Sequence, residues 1–158
     1  SMFRHLINAI NGKGDEIIEG TPDTEVIYGY GGNDDIYGGA GNDTIYGGNG
    51  VVSPFDGSDT ISGDEVSDVI YGNAGNDLIY GGLGDADPED SADTIYGGNG
   101  DDVIYGNGGD DVIYGGGGTL NPFEGADTIY GGQGGDAIFG NGGDDLIYGG
   151  GGNTEAID

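Results

Sequence analysis

The chain has no cysteine and no tryptophan, and only one histidine and two basic residues in 158 positions. Without cysteine there is no disulfide framework and no thiolate metal site. Against the two basic residues stand 30 acidic ones, for a net charge of -28. Such a surface repels nucleic acid and anionic membranes, offers little to hold an acidic glycan, and draws divalent cations. Long apolar runs are missing too. Nothing reads as a membrane span, and no basic segment precedes an apolar stretch of signal-peptide length, so membrane insertion is not expected. No serine has a partner base, and the single histidine, His5, lies outside the pattern that fills the rest of the chain. No catalytic constellation is visible, and an enzyme is not expected.

What the chain has in abundance is glycine, 41 residues. In an aperiodic sequence that composition, with so much charge of one sign, would mean disorder. A strict period reverses the reading. Aligned on G-G-x-G-x-D-x-U-x, where U is a large aliphatic, the cleanest copy is Gly97-Gly98-Asn99-Gly100-Asp101-Asp102-Val103-Ile104-Tyr105. Copies begin at Asn11, Gly20, Gly29, Gly38, Gly47, Gly63, Gly72, Gly81, Gly97, Gly106, Gly115, Gly131 and Gly140, with a degenerate fourteenth at Gly149. Position eight is isoleucine in the first thirteen, from Ile18 to Ile147, and position six is acidic in the same thirteen. Position nine is aromatic in most. Three repeats, 47–62, 81–96 and 115–130, carry seven extra residues before the acidic position. Their insertions align with one another as Ser53-Pro54-Phe55-Asp56, Asp87-Pro88-Glu89-Asp90 and Asn121-Pro122-Phe123-Glu124, at a spacing of 34 residues.

An x-U-x triplet is a minimal strand that points position eight one way and positions seven and nine the other. β-branched isoleucine suits a packed strand. The six preceding positions must reverse the chain, and glycine at one, two and four permits the positive φ angles this needs. Strand, turn, strand, turn winds an all-β solenoid: a parallel β-roll of two sheets, with the isoleucine columns facing each other between them. Two repeats make one coil, so about fourteen repeats give about seven coils stacked at roughly 4.8 Å. Residues 1–10 differ. Phe3, Leu6, Ile7 and Ile10 fall at helical spacing and predict a short capping helix. The division is therefore an N-terminal cap at 1–10, the roll at 11–148 and a degenerate last repeat or tail at 149–158.

At each turn the position-six carboxylates of repeats n and n+2 stack on one edge, beside carbonyls that glycine leaves unobstructed. Two such carboxylates repel unless a cation bridges them. Ca²⁺ takes six to eight carboxylate and carbonyl oxygens. The repeat has no histidine or cysteine to favour zinc or copper, and Mg²⁺ dehydrates too reluctantly for a carbonyl-rich turn. The candidate side-chain ligands are Asp34, Asp43, Asp59, Asp68, Asp77, Asp93, Asp102, Asp111, Asp127, Asp136 and Asp145. Candidate carbonyl ligands are those of Gly38, Gly39, Gly41, Gly72, Gly75, Gly97, Gly98, Gly100, Gly106, Gly108, Gly131, Gly132, Gly134, Gly140 and Gly142. Weak ligands are Glu16 and Glu25, where a longer chain replaces aspartate, and Asp56, Asp90 and Glu124 in the insertions. About seven to ten Ca²⁺ ions are expected, with folding dependent on them.

The pattern GGxGxDxUx, as in Gly38–Tyr46 and Gly97–Tyr105, resembles the repeats-in-toxin (RTX) family from about Asn11 to Tyr148. The resemblance implies a right-handed parallel β-roll with Ca²⁺ held by position-six aspartates and turn carbonyls. It also implies a bacterial protein secreted by a type I route, unfolded where calcium is low and folded outside. The family's C-terminal secretion signal is not evident.

Other readings stay open at this point. The tyrosine column is either a ligand platform or an outward ladder shielding a sheet. The insertions are extra Ca²⁺ ligands, a partner-binding rim, or solvated loops. A three-sided helix would stack them in one column, whereas a two-sheet roll puts Pro54 and Pro122 on one edge and Pro88 on the other. A polysaccharide-binding module, an ice-binding or adhesin segment, and end-to-end or edge self-association are the alternatives to a secretion, folding or spacer module.

Overall fold

The computed structural model describes residues 5–8, 14–48, 56–82, 91–117, 124–151 and 155–157. Its strands follow the repeat. In chain order they are β1 (His5–Asn8), β2 (Ile17–Glu19), β3 (Glu25–Tyr28), β4 (Asp35–Tyr37), β5 (Thr44–Tyr46), β6 (Thr60–Ser62), β7 (Val69–Ala74) and β8 (Leu78–Tyr80). There follow β9 (Thr94–Asn99), β10 (Val103–Tyr105), β11 (Val112–Tyr114), β12 (Thr128–Tyr130), β13 (Ala137–Phe139), β14 (Leu146–Tyr148) and β15 (Glu155–Ile157). Odd-numbered strands form an eight-stranded sheet and even-numbered strands a seven-stranded one, each in sequence order. All pairings are parallel. Successive strands thus alternate between two sheets, giving the all-β parallel roll that the x-U-x period predicts.

Register is set by position eight. Ile104 pairs with Ile79 on one side and Ile129 on the other, and Ile113 lies between Ile95 and Ile138 in the opposite sheet. Eleven of these isoleucines, from Ile27 to Ile138, are wholly buried, Ile18 nearly so, and Ile147 packs against the end of the stack. A one-residue slip in any coil would turn its isoleucine outward, so burial of one face fixes the register.

Position nine faces outward. Tyr28, Tyr46, Tyr71, Tyr96, Tyr114 and Phe139 stack on the odd sheet with centroids 4.8–5.0 Å apart. Tyr80, Tyr105, Tyr130 and Tyr148 do the same on the even sheet, where Ser62 breaks the ladder before Tyr37. Position seven mixes Thr60, Leu78, Val103 and Thr128 with Asp35 along one sheet, so no unbroken threonine array forms.

The expected N-terminal helix is not what the chain forms there. His5–Asn8 is a strand that extends the odd sheet, with Ile7 in register with Ile27. Phe3 and Ile10 lie outside the described residues. A helix of ten residues has little stability alone, while the terminal strand of a parallel sheet presents a row of unpaired backbone groups that an incoming extended segment satisfies. At the other end the degenerate repeat contributes β15, paired with β13. Leu146, Tyr148 and Ile157 are exposed on these last two strands.

The insertions fall where a two-sheet roll requires. Those between β5 and β6 and between β11 and β12 run from the odd to the even sheet, and the one between β8 and β9 runs back. Pro54, Pro88 and Pro122 themselves lie outside the described residues.

Deleting a buried isoleucine leaves a cavity between sheets that cannot collapse without losing register. Ile104→Ala is expected to cost about 2–5 kcal/mol. Ile17→Ala, at a residue 73% exposed, is expected to stay within about 0.5 kcal/mol. Urea denaturation in saturating calcium reads both.

Candidate metal centres

The position-six acids form two columns, one per edge. Along the odd-to-even edge run Asp34, Asp59, Asp77, Asp102, Asp127 and Asp145, preceded by Glu16. Along the other run Asp43, Asp68, Asp93, Asp111 and Asp136, preceded by Glu25. In each column the Oδ1 of one aspartate accepts the backbone N–H of the acid one coil earlier. The amide of Asp34 donates to Asp59 at 2.8 Å, that of Asp59 to Asp77 at 2.9 Å and that of Asp77 to Asp102 at 2.9 Å. The amides of Asp43 and Asp68 donate in the same way to Asp68 and Asp93, each at 2.8 Å. The acid's own carbonyl takes a backbone bond from the next coil, as Asp77 does from Val103. Stacking of the coils is thus written into one residue per turn.

The second oxygen is treated differently. Asp34, Asp43, Asp59, Asp68, Asp77, Asp102 and Asp127 are at most 2% exposed, and their Oδ2 atoms are buried with no hydrogen-bond partner. A buried acceptor left in this way costs about 1–3 kcal/mol, more if charged. The carboxyls accordingly resist ionisation. Burial, opposed by the bond from a neighbouring amide, raises Asp34, Asp43 and Asp127 from 3.8 to about 7 and Asp59 to about 8. Asp68 and Asp102 rise to about 9 for the same reason. Burial and then the charge of Asp102 bring Asp77 to about 10.

Each such Oδ2 looks onto glycine. A Cβ placed on Gly72 would sit 2.4 Å from Asp77 Oδ2 and 2.5 Å from the carbonyl oxygen of Gly97, one coil on. The carbonyls of Gly38, Gly72, Gly97, Gly106, Gly131 and Gly140 all line cradles of this kind. First-position glycine is therefore required for space. Fourth-position Gly75 is required for conformation, at φ +107°. The second position also takes positive φ, yet Asn73 (φ 77°), Asn107 (φ 71°) and Asn141 (φ 72°) occupy it, as asparagine tolerates that region best after glycine. Some of the expected carbonyl ligands are already engaged: Gly39, Gly100 and Gly132 accept backbone bonds from Glu65, Gly125 and Gly151.

The weaker candidates divide. Glu16 and Glu25 do stand in the columns, their amides donating to Asp34 and Asp43. The longer side chain of Glu25, however, turns back to accept the amide of Thr21 in its own turn. Asp56 and Glu124 both enter the turns, and Asp90 lies outside the described residues.

One column was not read from the sequence. Position five is often Asp, Asn or Ser, and its side chain accepts the amide one coil later. Asn33 donates to Asp15, Ser58 to Asn33, Asp101 to Asn76 and Ala126 to Asp101, at 2.8–2.9 Å. The recurrence of short polar residues that bond nearby backbone was the available signal.

The donors fit one class of ion. Among the described residues no three acidic, histidine or cysteine side chains gather as a metal cluster; each turn offers carboxylate oxygen with carbonyl oxygen. Hard oxygens in a mixed, flexible set suit Ca²⁺, which would supply the charge that the buried Oδ2 atoms lack. A model of the RTX calcium-binding nonapeptide repeat matches in four copies, at residues 19–51, 55–86, 89–119 and 123–154. The chain belongs to this family. It is a calcium-binding RTX repeat module, and the last three matches start 34 residues apart, the spacing of its insertions. No curated protein matches the chain in a sequence search.

The raised carboxyls make the metal-free roll acid-favoured. Folded, these groups hold protons that the unfolded chain releases near 3.8. Their contribution is fully present below about pH 4 and is lost as pH rises through about 7 to 10. In chelator, circular dichroism is expected to show most β-structure near pH 4 and progressive loss above it. With calcium the trend reverses, and uptake near pH 5, where the metal-free roll still holds its protons, is expected to release them, measurable by calorimetry in buffers of different ionisation enthalpy.

Proposed function

We propose that the two aspartate columns are the calcium sites of this RTX module, one ion between successive turns on an edge, and that at neutral pH the chain folds only as they fill. The observation that carries this is the buried Oδ2 without a hydrogen-bond partner in Asp34, Asp59, Asp77, Asp102 and Asp127 of one column and Asp43 and Asp68 of the other. Five aspartate-to-aspartate steps on one edge and four on the other support about nine sites, within the expected range. Turn carbonyls of the first-position glycines complete the donors, and the Glu16 and Glu25 turns are weaker. Ions in most turns would offset the larger part of the -28 charge, which otherwise drives the coils apart.

The biological role that follows is a non-enzymatic secretion, folding or spacer module of an exported bacterial protein. It would be extended where calcium is scarce and a rigid rod where calcium is plentiful. The tyrosine ladders serve as outward shields of the sheets in this reading. Their rings stack on one another at 4.7–5.1 Å, which leaves their faces covered. The acidic surface disfavours an acidic glycan as partner.

In EGTA at neutral pH the chain is expected to be expanded and largely without β-structure. It should become compact on titration to millimolar calcium, followed by circular dichroism and gel filtration. A chelated protein that is already compact and rich in β-structure at neutral pH overturns the proposal. Asp102→Asn keeps the Oδ1 bond but removes the charge, and is expected to raise the calcium midpoint several-fold, since affinity follows ligand charge count.

A further inference from the structure

The insertions do more than lengthen two turns. In the nine-residue repeats the carboxylate that a repeat itself lends to the cradle over its first two glycines comes from position six; over Gly38 and Gly39 a further one, Asp64, arrives from the next coil and accepts the Gly39 amide at 3.1 Å. In the repeat 47–62, Asp59 Oδ2 would lie 2.4 Å from a Cβ on Gly47, and Asp56 Oδ2 would lie 2.2 Å from a Cβ on Gly48. Two carboxylates of one repeat therefore close over consecutive glycines. The repeat 115–130 does the same: Asp127 Oδ2 would be 2.5 Å from a Cβ on Gly115, and Glu124 Oε1 2.4 Å from one on Gly116.

The added acids are built in by the fold. Backbone bridges join Asp56 to Gly32 and Glu124 to Gly100, one coil earlier. On the other side Asp56 Oδ2 accepts the amide of Ala74 at 3.0 Å, and Glu124 Oε2 accepts that of Gly142 at 2.8 Å. Glu124 Oε1 accepts the amide of Gly117 at 3.3 Å. Glu124 is 8% exposed, and Asp59 and Asp127 are each 1% exposed. Asp59 Oδ2, Asp127 Oδ2 and Asp56 Oδ1 are buried without a hydrogen-bond partner. A solvated loop would leave its acids in water; here they are drawn under the turn, beside an aspartate that already lacks a partner. The charges are felt, since Asp56 helps to raise Asp59 and Glu124 helps to raise Asp127.

We infer that the inserted repeats on the odd-to-even edge form a second kind of cation site, in which Asp56 joins Asp59, and Glu124 joins Asp127, as carboxylate ligands for Ca²⁺. Resting on the reading of the turns as calcium sites, this makes, among the described residues, two sites that draw a second carboxylate from their own repeat. Affinity for Ca²⁺ rises with ligand charge, so these two fill first, and the coils on either side order around them.

The test is calcium titration of the full chain by calorimetry, comparing wild type, the double variant Asp56→Asn with Glu124→Gln, and Asp35→Asn. The last removes one charge from an exposed sheet position away from the turns. The double variant is expected to lose a tight class of two ions, those two binding about tenfold or more weakly. Asp35→Asn should match wild type, and circular dichroism at saturating calcium should show all three chains folded. A double variant whose titration superimposes on that of Asp35→Asn overturns the inference while leaving the general calcium sites standing. A wild-type chain that takes up no calcium overturns both.

Discussion

The stacking of the coils depends on carboxylates whose two oxygens meet opposite fates. Oδ1 accepts an amide from the coil before and so sets the stacking; in Asp34, Asp59 and Asp77, for example, Oδ2 is sealed from water with nothing to bond. The first arrangement favours the roll and the second opposes it. A charge held in that position repels its neighbour one coil away, and a proton there neutralises it only while the pH is below the raised pKa. Glycine at position one leaves the space beside that oxygen unfilled, so alanine there would remove the cradle. The turn is therefore organised around an oxygen that only a cation or a proton can satisfy.

Apolar burial cannot carry the roll by itself. Each three-residue strand contributes one buried isoleucine, and each isoleucine touches only the coils beside it and the column opposite. Stability in such a stack is a sum of nearest-neighbour terms. Against it stand the ordering of long glycine-rich turns and the repulsion of an almost wholly acidic chain. The outward tyrosine ladders and the position-five amide acceptors add further contacts between neighbouring coils, and both repeat with the same translation. Each kind of contact is weak singly and cooperative only because the coils are alike.

The insertions are the departure from that uniformity. They alternate between edges because an inserted repeat followed by two plain ones advances the chain by an odd number of strands. The first and third thus meet the same edge and present Asp56 and Glu124 to equivalent turns. Residues far apart in sequence become equivalent in space through the parity of the repeat count.

Much of this was legible in the residues. Recurrent isoleucine at position eight gave the core, the acid at position six gave both columns, and the six-residue glycine turn, long enough for a full reversal, favoured two sheets, whereas the spacing of the insertions fitted a three-sided helix as well. Other features were not. Leu6 and Ile7 suit a helix as well as a strand, and only the open edge of β3 decides for the strand. That Glu25 folds back on Thr21 while Asp43 reaches the amide of Glu25 in the coil before depends on one methylene in a turn of fixed width. That Oδ1 is bonded and Oδ2 is not follows from where the neighbouring amide lies. The sequence by itself determined which residues recur and hence which can stack, since periodicity is a property of the chain. Which oxygen of each carboxylate is left without a partner, and which turns gain a second one, was decided only by tertiary structure, because both depend on distances between coils that a linear pattern does not contain.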